Sequence, residues 1–204
     1  MEIIELIIDE NEEYSGIEAI SVVESPAIEE EFIALKNQDQ IRLAEISKEK
    51  RLLIGAALIP DKPIYRKNGE HEFYIFFSKD TVAKASQMFL KAGNQSKATM
   101  EHTDEKLEGM TIVESWLIED EVHDKSRKYG LNMPVGTWMV AMKVDNNDIW
   151  NNYVKEGKVK GFSIEGFFAD KLNRPQDKQQ DKLTEEDKLL NQIIDVLKES
   201  NTNA

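Results

Sequence analysis

Ser163 lies in KVKGFSIEGFF, a run from Lys158 to Phe168 in which one hydroxyl stands among large apolar side chains. Gly161 precedes it by two residues and Gly166 follows by three. A serine hydroxyl becomes a useful nucleophile when a base removes its proton, and that base is most often histidine. The chain has 3 histidines, His71, His102 and His123. His71 sits beside an Asn-Gly turn signal and His123 in a highly charged loop, so both suit solvated roles. His102 ends the short segment ATMEH, where a sheet can hold its backbone while the ring reaches a neighbouring strand. Any single serine or histidine is more often structural, so this pair does chemistry only if folding makes them neighbours. The pattern G-x-S-x-x-G is not the nucleophile elbow G-x-S-x-G, which needs a strand, a sharp turn and a helix. The apolar flanks put Ser163 on a strand instead.

A third group would orient the imidazole and stabilise its charged form. Glu114 in TIVESWLIED is the first choice, because an acid within an apolar strand costs free energy unless it is paired or placed at a polar site. The plainer reading of Glu114 is the outward face of an alternating strand. Glu165 and Asp104 are alternatives; Glu165, two residues along, shares a strand face with Ser163. A different chemistry would use Glu101, His102, Asp104 and Glu105 in EHTDE as ligands of a divalent ion. No second histidine stands at helical spacing to support it, and no cofactor is expected.

Composition narrows the classes. Of 204 residues 40% are hydrophobic, enough for a core, and 32% are charged. The net charge of -13 argues against gripping nucleic acid by its phosphates, which takes a basic face. Cysteine is absent, which excludes disulfide scaffolds, thiolate metal sites and cysteine nucleophiles. No apolar run approaches membrane-spanning length, and MEIIELIIDENEE lacks the basic start and apolar core of a signal peptide. A soluble, cytoplasmic protein is the expectation.

The elements that must position these residues follow from pattern. Strands are expected over 2–9, 51–60, 109–120, 134–145 and KGFSIEGFF, with a break at Pro26. Asn68-Gly69 predicts a hairpin into EFYIFFS. Ser78 or Asp80 caps a helix, TVAKASQMFLKAG, closed by Gly93, and NDIWNNYVKEG makes another. Residues 37–50 read as loop or a short exposed helix. Strands hydrophobic on both faces, with few helices, suit a closed barrel with helices outside. Residues 1–169 form the main domain and 170–183 a polar linker. Residues 184–204 form an amphipathic helix and tail, capped by Thr184 and striped by Leu189, Leu190, Ile193, Ile194 and Leu197.

The runs MEHTDEKLEGMTIVESWLIED and YGLNMPVGTWMVAMKVDNNDIWNNYVKEGKVKGFSIEGFF resemble the prophage-encoded serine proteases of the XkdF type, relatives of the phage prohead proteases. GIEAISVVESPAIEEEFIAL, with its V-x-x-P-A, resembles the N-terminal region of that family, so the resemblance spans most of 16–168. It implies the fold of herpesvirus assemblins: α+β, a mostly antiparallel β-barrel with surrounding helices, serine and histidine on neighbouring strands. It implies an endopeptidase with Ser163 as nucleophile and His102 as general base. The third member varies across the clan, a histidine in the herpesvirus enzymes and usually an acid in phage ones, so Glu114 is a hypothesis. The implied substrates are the phage scaffold and major capsid protein, and the enzyme itself. The implied site of action is the assembling procapsid in the host cytoplasm, with a homodimer possible and neither nucleic acid nor membrane as partner. The C-terminal helix would load the enzyme into the shell. The competing reading is a catalytically inactive capsid-assembly or scaffold-binding protein on the same fold, with a metal-dependent hydrolase third.

Overall fold

The computed structural model describes residues 2–9, 15–29, 33–35, 50–103 and 106–170. The segments 37–49 and 171–204, which hold the expected polar loop, most of the expected linker of 170–183 and the expected amphipathic helix of 184–204, lie outside the described residues, as do Asp104 and Glu105, while Asp170 belongs to β11. In chain order the elements are β1 (Glu2–Ile7), β2 (Gly16–Val23), β3 (Ile33–Leu35), β4 (Leu52–Leu58), β5 (Ile64–Asn68) and β6 (His71–Phe77). Then come α1 (Lys79–Lys91), β7 (Ala98–Met100), β8 (Met110–Leu117), β9 (Trp138–Val144), α2 (Asn147–Ile149), β10 (Gly161–Phe167) and β11 (Ala169–Asp170).

The local signals explain most of these boundaries. Asn68 pairs with His71 across a tight β5–β6 turn in which Gly69 takes a positive φ of 61°. The Ser78 hydroxyl accepts the Thr81 N–H at 3.4 Å and starts α1, with Asp80 in the first turn and Lys91 in the last. The inner face of α1 buries Val82, Ala85 and Phe89, and Phe89 meets Trp138 edge-on with centroids 5.4 Å apart. Asn146 caps α2, which widens into a π turn over Trp150–Val154 around the fully buried Trp150.

Among the described residues the strands form three sheets, ordered β11-β1-β6-β5, β10-β2-β7 and β3-β4-β9-β8. This corrects the expected closed barrel. Closure requires each strand to be paired on both sides, whereas each of these sheets ends in two edge strands. Two are mixed: β1 runs parallel to β6 and β2 parallel to β7. β4 and β9 are apolar on both faces because both of their faces are buried. That pattern suits a strand inside a layered core as well as one in a barrel wall. A single core of Ile20, Val22, Leu53, Trp138, Met142 and Phe162 joins the layers. Among the described residues no helix is long and apolar enough to cross a membrane.

Candidate active site

The three-stranded sheet carries the residues of interest. In β2, Ile20 and Val22 join the core, so Ser21 faces the other way. Register places Ser163 of β10 opposite Ser21, and Ser21 opposite Thr99 of β7. Three hydroxyls therefore form one row across three strands. All are buried: Ser21 is 0% exposed, Thr99 4% and Ser163 8%. Glu165 shares the face of Ser163, just before a bulge between Glu165 and Gly166. Gly166 is required there, since a Cβ would lie 2.0 Å from the Gly16 carbonyl oxygen of β2.

His102 is not the last residue of a strand. β7 ends at Met100, and Glu101 and His102 both take left-handed conformations, with φ of 50° and 57°. The Thr103 N–H donates to the Met100 carbonyl at 3.0 Å, so Met100–Thr103 is a tight turn with two positive-φ centres, the type I′ pattern. Non-glycine residues there store about 1–3 kcal/mol each. The neighbours hold the turn: Glu101 N–H donates to the Val22 carbonyl at 3.2 Å, and the Glu101 carboxylate accepts the Glu24 N–H at 2.6 Å. The turn folds the imidazole back over the hydroxyl row. Its Nδ1 lies 3.3 Å from Glu165 Oε1 and 3.4 Å from Ser21 Oγ.

Proton accounting assigns roles within this cluster. Ser21 and Thr99 each donate to Glu165 Oε1, and their two hydroxyl oxygens also touch. Each hydroxyl has one proton, so with both spent on the carboxylate neither remains for the other. Glu165 is thus clamped from two strands. A carboxylate acceptor beside Nδ1 favours the tautomer with the proton on Nδ1, which leaves the Nε2 lone pair free to act as a base. The His102 side chain is 46% exposed and that of Glu165 27%, so the ring is open to solvent while its carboxylate partner is held from behind.

Ser163 is on the same face, but β2 lies between β10 and β7, and among the described residues Ser163 and His102 share no hydrogen bond. Directly opposed cross-strand side chains have Cβ atoms about 5 Å apart, which puts Ser163 one neighbour away from the imidazole. Ser163 also lines a cleft of about 330 Å³.

The other candidates sit elsewhere. Glu114 is on β8, in a different sheet, with its side chain about half exposed and paired to Lys125, whose ammonium lies 3.6 Å from the centre of the Trp116 ring. His71 pairs with Glu2 at 3.2 Å on the surface. His123 meets Asp120 at 2.9 Å, and this bond, with the Val122 and His123 N–H groups, lowers the Asp120 carboxyl to about 2. Asp104 and Glu105 of EHTDE are outside the described residues; among those described, no group of three or more potential ligands converges. Sequence reasoning missed Ser21 and Thr99. The available signal was a lone hydroxyl inside each of the apolar runs AISVV and ATM.

The model of a family described as "Putative phage serine protease XkdF" matches residues 40–172. Neither the curated proteins nor the solved structures give a match.

Proposed function

The chain belongs to the XkdF family of phage serine proteases, and from that premise we propose that it is an endopeptidase of phage assembly that works through an acyl-enzyme on Ser163. The observation that carries this reading is the contact of His102 Nδ1 with Glu165 at 3.3 Å, on the sheet face that also bears Ser163. In this reading His102 Nε2 takes the Ser163 proton as Oγ attacks a peptide carbonyl. The leaving amine then receives that proton. A water activated by the same nitrogen releases the acyl group. Glu165 holds the tautomer and offsets the charge that develops on the ring. Ser21, although 3.4 Å from Nδ1, is fully buried and spends its proton on Glu165, so it serves as a clamp rather than a nucleophile. Catalytic hydrogen bonds are often loose without substrate, and here a small movement of the half-exposed imidazole toward Ser163 completes the relay.

The substrates in this proposal are the scaffold and major capsid proteins within the assembling procapsid in the host cytoplasm, together with the chain itself. The missing Ser163–His102 bond favours one second reading, an assembly protein that binds scaffold without cleaving it. Co-expression with a phage scaffold protein separates the two. Wild type is expected to process the scaffold, and Ser163→Ala and His102→Ala to leave it intact. Processing by Ser163→Ala at the wild-type rate would refute the protease assignment. Loss of processing with a chelator but not with Ser163→Ala would favour metal chemistry.

A further inference from the structure

Glu101 is where the chain leaves β7. The β2–β7 ladder ends with Val22 opposite Met100, and the β2–β10 ladder with Val23 opposite Gly161. Glu24 stands past both, so its N–H has run out of strand carbonyls. The Glu101 carboxylate takes their place and accepts that N–H at 2.6 Å. The Glu101 backbone does the reverse: at a φ of 50° it turns out of the strand, and His102 at 57° completes the turn. The side chain thus extends the ladder that the main chain abandons. Residue type makes this informative. A left-handed position is cheapest for glycine, and asparagine or aspartate can offset its cost with a local hydrogen bond. Glutamate has neither advantage, and among the described residues the one hydrogen bond its carboxylate makes is to Glu24. An ionised acceptor makes a short, strong bond to an N–H. With the Glu101 N–H on the Val22 carbonyl at 3.2 Å, it ties the turn to β2, the strand whose Ser21 clamps Glu165.

We propose that Glu101 is a positioning residue: its carboxylate, bonded to the Glu24 N–H, sets the turn that holds His102 Nδ1 against Glu165. The effect on rate rests on the reading of His102 as the catalytic base; the effect on the ring does not. The staple needs an acceptor oxygen at the end of a side chain of this length, and a glutamine amide supplies one. Alanine removes the acceptor and keeps the strained backbone. Glycine removes the acceptor and relieves the strain, so it separates positioning from stability.

The test uses the full chain and two readouts. Imidazole nitrogen NMR of the Ser163→Ala chain reads the tautomer, with His102 assigned by its loss in His102→Ala. It is expected to show His102 protonated mainly on Nδ1. Adding Glu101→Gln should keep that signal, and adding Glu101→Ala or Glu101→Gly should move it toward the Nε2-protonated form. Scaffold cleavage with Ser163 intact reads the rate. Glu101→Ala and Glu101→Gly should lower kcat about tenfold or more, as misplacement of a catalytic group does, with KM within about twofold. Glu101→Gln should stay within about threefold of wild type. The urea midpoint of Glu101→Gly should remain close to that of wild type, which excludes unfolding as the cause. A tautomer or a kcat unchanged in Glu101→Ala and Glu101→Gly overturns the proposal. So does a loss in Glu101→Gln as large as in Glu101→Ala, which would make the charge rather than the bond the agent. A tautomer that follows the staple in a chain that cleaves no scaffold would uphold the positioning and count against the protease reading.

Discussion

Glu165 and Glu114 are both acids in apolar strands, and their surroundings separate them. Glu165 accepts from Ser21 and Thr99 and contacts His102, while Glu114 is turned outward to Lys125. The proposal therefore predicts that Glu165→Gln lowers kcat/KM by about three to four orders of magnitude, the effect of losing the tautomer-fixing acid of a triad. Glu114→Gln should stay within about twofold and cost under about 1 kcal/mol, as exposed pairs do. Scaffold cleavage rates and urea unfolding check both. Thr99→Val keeps the shape but removes a buried donor to a carboxylate. It should cost about 1.5–3 kcal/mol and slow cleavage, and Thr99→Ser should restore both. At this scale residue type narrowed the candidate bases to 3 histidines, and the fold brings His102 onto the sheet face that also bears Ser163. The two-residue spacing also put Glu165 beside Ser163. It could not rank Glu165 above Glu114, since that depends on which strand brings hydroxyls to meet each carboxylate. Ser21 and Thr99 showed only as lone hydroxyls in apolar runs, and a buried hydroxyl that donates to a carboxylate looks there like an idle one.

Among the elements, β10 depends on Gly166. Its neighbour in β2 comes so close that the Cβ of alanine would overlap the Gly16 carbonyl. Gly166→Ala should cost about 1–3 kcal/mol or more through overpacking and should disturb the bulge that follows Glu165. Gly69→Ala offers the contrast: it has a positive φ of 61° but nothing within 4 Å, so it pays strain alone. Equal losses in denaturant unfolding would contradict this account of the β10–β2 contact. The Asp120 loop makes a pH prediction. Its carboxyl is lowered to about 2 by His123 and two backbone N–H groups, so ionised Asp120 stabilises the loop above the ordinary carboxylate range. That contribution is lost as pH falls through about 2. The melting difference between wild type and Asp120→Asn should therefore be full near neutrality and vanish at the acid end. Local signals read the elements well: Asn68-Gly69 marks the hairpin and Ser78 the start of α1. The turn at Glu101 and His102 was not legible, because neither residue type advertises positive φ.

For the whole molecule, strand content was readable but pairing was not. β1 finds β6 and β2 finds β7 across long stretches of chain, and apolar patterns on both faces do not say whether strands close into a ring or stack as open layers. The net charge of -13 is a property of the whole chain that sequence does determine, and its self-repulsion opposes compaction. Raising salt from about 0.02 to about 0.3 M should lift Tm by a few degrees through screening; a fall in calorimetry would show that local ion pairs outweigh this repulsion. The proposed relay lies where the three-stranded sheet meets the apolar cleft, so its central claim is that Ser163, rather than the fully buried Ser21 beside it, forms the covalent bond. Fluorophosphonate labelling followed by peptide mass mapping tests this most directly. The account predicts one adduct, on Ser163, formed far more slowly in His102→Ala and Glu165→Gln. An adduct on Ser21, or scaffold cleavage that continues with Ser163 unlabelled, would contradict it.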